Sequence, residues 1–499
     1  MNNKLFVIAI GGSGAKCVES IVQIAATGLY TKEEIEVLFV DPDENNGNVD
    51  RARKTLSTYQ ECQKLVTGGS TEQQIEWMST PIKSYDLWSP FQGKLGGREL
   101  ASYFNYGTMD AGLANLLEVL YTPDERNQQL DEGFRGRPAI GAAVMSQIDL
   151  KRLDTEPWGS FIQSINNAVG AQGKQARVLL CGSIFGGTGA SGIPTIARLL
   201  RNKLEQQNIA DRVKLGGLFL LPYFSFTVPP GAETNGLYAA SDQFLLNTES
   251  ALRYYVTQAS QLFDTVYLLG NENTSEVEFS VGNTTQKNRP HFVELYAALA
   301  VRDFLLEDRD DALMSITRDR VGEIKWSDLP DDFNVKKLMT NAARLAYLWT
   351  SDIEKTAKYT LNNGFKIASR DEPWLDRYYD LQADSKDRFD LPHQQKGIET
   401  LSSWSRSYLL WLKELHFDKI DRLQLFNTQI FGDLNGNIQF HKLDQLLLGD
   451  TREQRTKQDK DDIVRIKDRL RRHDVKSVQG INRGTVGLAK SLYLNSQFN

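Results

Sequence analysis

Short apolar runs that end in glycine or turn residues recur over the first three hundred positions, with stretches of helical period between them. Lys4–Ile10, Glu36–Val40, the run from Arg177 to Cys181, Leu221–Phe226 and the run from Phe263 read as strands, and Ile193–Leu204 reads as a helix. This alternation, continued to about residue 309, predicts an α/β fold with a mostly parallel sheet covered on both faces. Residues 43–130 break the rhythm as a long, partly helical insertion rich in Gln, Gly and aromatic residues. Asn235–Ala259 reads as a long amphipathic helix. Pro290–Leu306 reads as another, with Pro290 near its first turn and Phe292, Leu295, Leu299 and Phe304 toward a core. Beyond it the character changes. Residues 335–420 carry helical patterns with many Trp and Tyr, and 451–474 is a highly charged stretch with one apolar stripe of Ile463, Val464, Ile466 and Leu470. Two readings stand for that stripe: a solvated amphipathic helix, or a docking helix for a partner.

The glycine turns add chemistry to this layout. In Arg177–Pro194 an apolar strand runs into Gly186-Gly187-Thr188-Gly189-Ala190-Ser191-Gly192, and a helix follows at once. That order aims backbone N–H groups and the positive end of a helix at one point, an arrangement suited to a phosphate, and Thr188 can add a hydroxyl donor. The chain opens in the same way, Lys4–Ile10 leading into Gly11-Gly12-Ser13-Gly14, with Cys17 where a dinucleotide fingerprint has its third glycine. The second strand ends in Asp41, an acid placed for a ribose hydroxyl or a metal-bound water, or simply for a turn. A third turn, Gly133-Phe134-Arg135-Gly136-Arg137-Pro138, brings two arginines that would reach a terminal phosphate or point to solvent.

Taken in order, these segments resemble the tubulin/FtsZ superfamily of GTPases. Gly186–Pro194 is similar to the family's signature loop, Gly133–Gly141 to the loop facing the terminal phosphate, and Gly11–Gly14 to its first phosphate loop. Leu221-Pro222-Tyr223-Phe224-Ser225-Phe226 and the strand ending at Asn271 follow at matching places. The resemblance covers roughly the first three hundred residues. It implies a Rossmann-type nucleotide-binding domain at 1–309, then a linker loop and a mainly helical C-terminal domain at 310–499, in a divergent bacterial tubulin-like protein. It implies contacts to GTP or GDP, with Mg2+, from Gly11, Gly12, Ser13, Gly14, Lys16, Asp41, Gly136, Arg137, Gly186, Gly187, Thr188, Gly189 and Ala190. Asn271 would read the base and Phe292 stack on it. Phe185 and Ser191 depart from the family's small residues. Lys16 stands where the family has a neutral one, either as a phosphate contact or in solvent.

In this family the acids that orient the hydrolytic water come from a neighbouring subunit, on the loop after the central helix. Asp328 and Asp331 are similar to that pair, and an acidic turn or helix cap explains them equally well. Glu294, on the preceding helix, is a weaker alternative. The implied function is a GTPase that assembles head-to-tail into filaments, with hydrolysis completed between subunits. The competing reading is a non-polymerising nucleotide-binding scaffold or switch acting through a protein partner on its helical C-terminal region. A Rossmann oxidoreductase ranks third.

Composition fits a large cytoplasmic protein. Lys and Arg total 58 against 64 Asp and Glu, a net charge of −6, which speaks against a general nucleic-acid binder. No apolar run is long enough to span a bilayer and no signal-peptide pattern appears. Three cysteines and scattered histidines give no metal-ligand spacing, so no resident protein-held metal is expected.

Overall fold

The computed structural model describes residues 4–30, 33–68, 75–92, 99–170, 175–227, 241, 243–259, 261–278, 283–307, 312–315, 322–417, 420–434, 443–449, 463–472 and 483–498. The strands are β1 (Lys4–Ile10), β2 (Glu34–Val40), β3 (Ile82–Ser84), β4 (Ala176–Ser183), β5 (Val213–Leu220), β6 (Phe224–Thr227), β7 (Thr265–Leu269), β8 (Ser275–Glu278) and β9 (Ala312–Ser315). Seven form one parallel sheet in the order β3-β2-β1-β4-β5-β7-β9, and β6 pairs with β8 in a small parallel ribbon. All eight residues of β4 and six of the seven in β1 are buried, as expected for strands covered on both faces.

Helices Gly11–Thr27, Gly47–Thr67 and Phe292–Leu306 cover one face. Helices Pro138–Met145, Trp158–Val169, Gly187–Gln206 and Gln243–Gln258 cover the other. The expected α/β architecture with a parallel sheet is present.

The boundaries differ in instructive ways. The 43–130 insertion supplies the edge strand β3, and β9 extends the sheet past the boundary expected at 309. Within the predicted 235–259 helix, residues 235–240 and 242 lie outside the described residues, and the described helix is Gln243–Gln258. The central helix starts at Phe292, capped by His291, so Pro290 stands before the cap rather than in the first turn.

The C-terminal region is mainly helical, as expected, and shares its core with the first face of the sheet. Helices Asp332–Leu348, Pro392–Leu415 and Gly484–Asn495 bury aromatic side chains against helices Gly11–Thr27 and Gly47–Thr67. Trp404 meets Trp77 with ring centroids 5.4 Å apart, and Trp411 Nε1 donates to Ser20 Oγ at 3.4 Å. Of the 451–474 stretch, the described helix Ile463–Arg472 buries Ile466 and Leu470 against this chain's own helices and exposes Val464. Lys467 ties it down with ion pairs of 2.9 Å to Asp352 and 2.6 Å to Glu372. The buried part of that stripe is therefore occupied by the chain itself. Among the described residues no helix is long and apolar enough to cross a membrane.

Candidate functional site

The sheet order reverses between β1 and β4. From β1 the chain moves outward to β2, and from β4 it moves the other way to β5. In open parallel sheets a crevice forms at the carboxyl ends of the strands at such a point, and ligands bind there. Here both strands run straight into helices, Gly11–Thr27 after β1 and Gly187–Gln206 after β4, and neither helix has a side-chain cap or an acid in its first turn. The exposed N–H groups of two long helices therefore carry partial positive charge into one place.

Sterics bring the two ends together. Gly11 has a φ of +75°, which turns the chain sharply out of β1, and a Cβ on it would lie 3.3 Å from the Cβ of Thr188. A Cβ on Gly14 would lie 2.5 Å from the Cys181 carbonyl, so only glycine lets this helix sit so close to β4.

The cavity at this junction measures about 120 Å³. Gly11, Gly12, Ser13, Gly186, Gly187, Thr188 and Gly189 line its floor, and Asp41 and the Glu132–Gly136 turn form part of its walls. Asn247 Nδ2 fastens that turn to the second loop, donating to Gly136 O at 3.1 Å and Phe185 O at 3.0 Å. Asn46 and Asn48 roof the first loop. Asn46 Oδ1 caps helix Gly47–Thr67, and its Nδ2 donates to Gln286 Oε1 at 2.9 Å, while Asn48 Oδ1 accepts from Asn288 N at 2.9 Å.

Asp41 is the charged group that stands out. It is 2 % exposed; its Oδ1 accepts from Asp43 N at 3.0 Å, and its Oδ2 has no partner. Burial pushes its carboxyl well above the usual carboxylate range; the bond from Asp43 N works against this rise, and the Asp43 carboxylate adds a smaller push in the same direction as burial. A buried carboxylate oxygen without a donor is costly unless a cation or hydroxyl completes it.

The other predicted residues fall in different places. Gly14 and Ala190 do not line the cavity. Arg137 precedes helix Pro138–Met145 and pairs with Glu125 at 2.6 Å, whereas Arg135 lines the cavity and pairs with Glu132. Lys16 corrects the expectation most clearly, being neither a contact in this cavity nor in solvent. It is 2 % exposed and pairs at 2.5 Å with Glu294 of the central helix. It does so because the helix face that carries it packs on the Phe292–Leu306 helix.

Asn271 and Phe292 come together, in a neighbouring cavity of about 920 Å³ that shares Phe224 and Phe244 with the first. Asn271 Nδ2 is already engaged by Asn273 O and by Asp421 Oδ2, the latter at 2.7 Å. Phe292 is buried with its ring 4.3 Å from His291. Phe185 fills the space between the loops as part of an aromatic cluster, 4.8 Å from Phe244 and 5.4 Å from Phe224.

Asp328 and Asp331 lie outside this cavity. Asp331 pairs at 2.7 Å with Arg302 near the far end of the central helix, and Asn288, just before that helix, lines the cavity. Asp328 lies nearer, its backbone carbonyl accepting from Tyr296 Oη at 2.7 Å one turn into that helix. Asp328 Oδ2 accepts from Lys325 N at 2.7 Å, the turn-capping role that the sequence also allowed. Among the described residues no cluster of three or more His, Cys, Asp or Glu could hold a metal ion.

Sequence reasoning missed Asn46, Asn48, Asn247, Gln286 and Asn288. The turn Asp43-Glu44-Asn45-Asn46-Gly47-Asn48 carried a signal, asparagines at 45, 46 and 48 around a helix start, and Asn is a favoured N-cap residue. No known family model matches this chain, and no curated protein shows significant similarity to it.

Proposed function

We propose that this protein binds a nucleoside triphosphate through its phosphates at the β1/β4 junction. The observation that carries this is the meeting of two uncapped helix N-termini beside the partnerless Asp41 oxygen. A volume of about 120 Å³ suits a phosphate chain, while whole drug-sized ligands occupy roughly 300–1,000 Å³. The nucleoside end would then pass Phe224 into the 920 Å³ cavity, among Leu269, Phe292 and Tyr296. Mg2+ needs only one or two protein carboxylates beside phosphate oxygens and water, so Asp41 is the residue that would hold it. GTP is the nucleotide favoured by the loops' resemblance to the tubulin/FtsZ superfamily.

The same resemblance supports head-to-tail assembly, with Asp328 and Asp331 acting on a neighbour's nucleotide. Neither acid lines the phosphate cavity, which suits action on another molecule rather than their own. A non-polymerising nucleotide-held scaffold is the second reading, favoured by the capping bond of Asp328 and the ion pair of Asp331.

Calorimetric titration with GTP, ATP and pyrophosphate, each with Mg2+, tests the binding. Failure of all three to bind would sink the proposal. Hydrolysis per monomer that climbs with protein concentration, and falls in Asp331→Asn, supports head-to-tail completion. Tight binding without turnover at any concentration leaves the scaffold.

A further inference from the structure

Another cavity, of about 950 Å³, adjoins the phosphate cavity and shares Phe224 and Asn288 with it. Phe224 also lines the cavity of about 920 Å³, and Thr274 lines both large ones. The two therefore flank the start of the β6–β8 ribbon, and the phosphate cavity meets each of them at Phe224. Each is large enough for a small organic ligand.

Charge is unevenly placed around these spaces. Asp41, Glu132 and Arg135 are the ionisable side chains that line the phosphate cavity, and Arg135 is tied to Glu132. The cations that a polyphosphate calls for stand next door. Lys287 and Arg289 lie on either side of Asn288 in sequence and line the 950 Å³ cavity, and among the described residues neither pairs with a carboxylate. Arg289 instead lies over the Phe417 ring, 3.6 Å from its centroid, which gives the rim a flat cationic platform.

Glu276 and Glu278 also border this cavity. Ser275 Oγ lies 3.0 Å from His291 Nε2, so Ser275 marks the inward face of β8, and strand alternation turns both carboxylates the other way. At the floor, Lys16 lies over the rings of Tyr223 and Phe224, at 5.4 and 6.0 Å from their centroids. An ammonium has three N–H donors, and Glu294 is the one hydrogen-bonding partner of Lys16 among the described residues. A ligand carbonyl or hydroxyl in the cavity would complete it.

We infer that the site takes a dinucleoside polyphosphate, two nucleosides joined by one phosphate chain. The inference rests on the nucleotide binding proposed at the β1/β4 junction and extends it to a second nucleoside. The chain lies in the phosphate cavity, with one nucleoside in the 920 Å³ cavity and the other in the 950 Å³ cavity. On its way to the second nucleoside the chain passes Asn288, between the charges of Lys287 and Arg289. The second base lies against Tyr223 and Phe224, and Lys16 donates to it. A mononucleotide leaves one large cavity empty. Joining the two nucleosides makes the second contact intramolecular, so the bridged ligand binds more tightly than either half.

Calorimetric titration of the full chain with Mg2+ tests this, comparing diguanosine and diadenosine tetraphosphate with GTP, ATP and pyrophosphate. One dinucleoside per chain is expected, at least about tenfold tighter than its own mononucleotide. Arg289→Ala and Lys16→Met should each remove most of that excess and change mononucleotide affinity by less than about threefold. Circular dichroism checks that both variants are folded, and Arg289, exposed at the rim, is the safer of the two. A dinucleoside that binds no more tightly than its mononucleotide overturns the inference and leaves nucleotide binding standing. An excess that survives both variants overturns it as well. If dinucleosides, mononucleotides and pyrophosphate all fail to bind, the proposed nucleotide site falls with it.

Discussion

Lys16 gives the sharpest test of how this site is built. Its ammonium lies 2.5 Å from Glu294 Oε1, which also accepts from Tyr223 Oη at 2.8 Å, while Glu294 Oε2 accepts from His291 N at 3.0 Å at the start of the central helix. Glu294 is fully buried and Lys16 nearly so. Lys16→Met therefore leaves a buried carboxylate without its countercharge, at a cost of roughly 3–5 kcal/mol. Unfolding entropy near 2.1 cal/mol/K per residue gives about 1 kcal/mol per degree for a 499-residue chain melting as one unit. The melting temperature should then fall by about 3–5 °C, and further if a smaller unit melts.

Adding Glu294→Gln removes the stranded charge. Its amide oxygen can still accept from His291 N, and its NH2 can donate to Tyr223. The double variant should therefore recover to within about 1 kcal/mol of the natural chain. Scanning calorimetry measures both, and titration with pyrophosphate well below the melt should show affinity changed by less than about threefold in Lys16→Met. A stable Lys16→Met that loses pyrophosphate binding would refute the reasoning, and would return Lys16 to the phosphate-contact role that its place in the sequence suggested.

Two further outcomes follow from the cavity itself. Asp41 has its folded-state pKa raised by burial, so the empty natural chain loses stability as pH rises from about 4, the unfolded value, toward the raised folded one. Asp41→Asn keeps the bond from Asp43 N and removes that loss, so its melting curve should be flatter against pH and higher at neutrality, while Mg2+-dependent nucleotide affinity drops; equal pH slopes in the two proteins would contradict this. Gly14→Ala places a methyl 2.5 Å from the Cys181 carbonyl and 3.0 Å from the Ala9 carbonyl carbon, forcing the helix off β4 at about 1–3 kcal/mol, and should weaken pyrophosphate binding although Gly14 does not line the cavity.

What the sequence revealed and what it hid divide along the range of the interactions. The loops at Gly11–Gly14 and Gly186–Gly189 were legible because a strand, a glycine turn and a helix start are specified by adjacent residues, and a parallel sheet then places both turns at one edge. Strands β3 and β9, three and four residues long, are too short for any period to show, so the sheet's two edges were invisible. Lys16 was misplaced because its direction depends on Glu294, and Asn271 looked free because its partner Asp421 is 150 residues away. The aromatic C-terminal third read correctly as helical, yet its docking on helices Gly11–Thr27 and Gly47–Thr67 rests on Trp77, Trp404 and Trp411, which no local pattern links. This packing bears on the site. The helix that opens with the first glycine loop is clamped between the sheet, the central helix and the C-terminal helices, so the loop's geometry depends on residues from both ends of the chain. A loop held from so many sides is preorganised, and its backbone N–H groups keep their aim whether or not an anion is present.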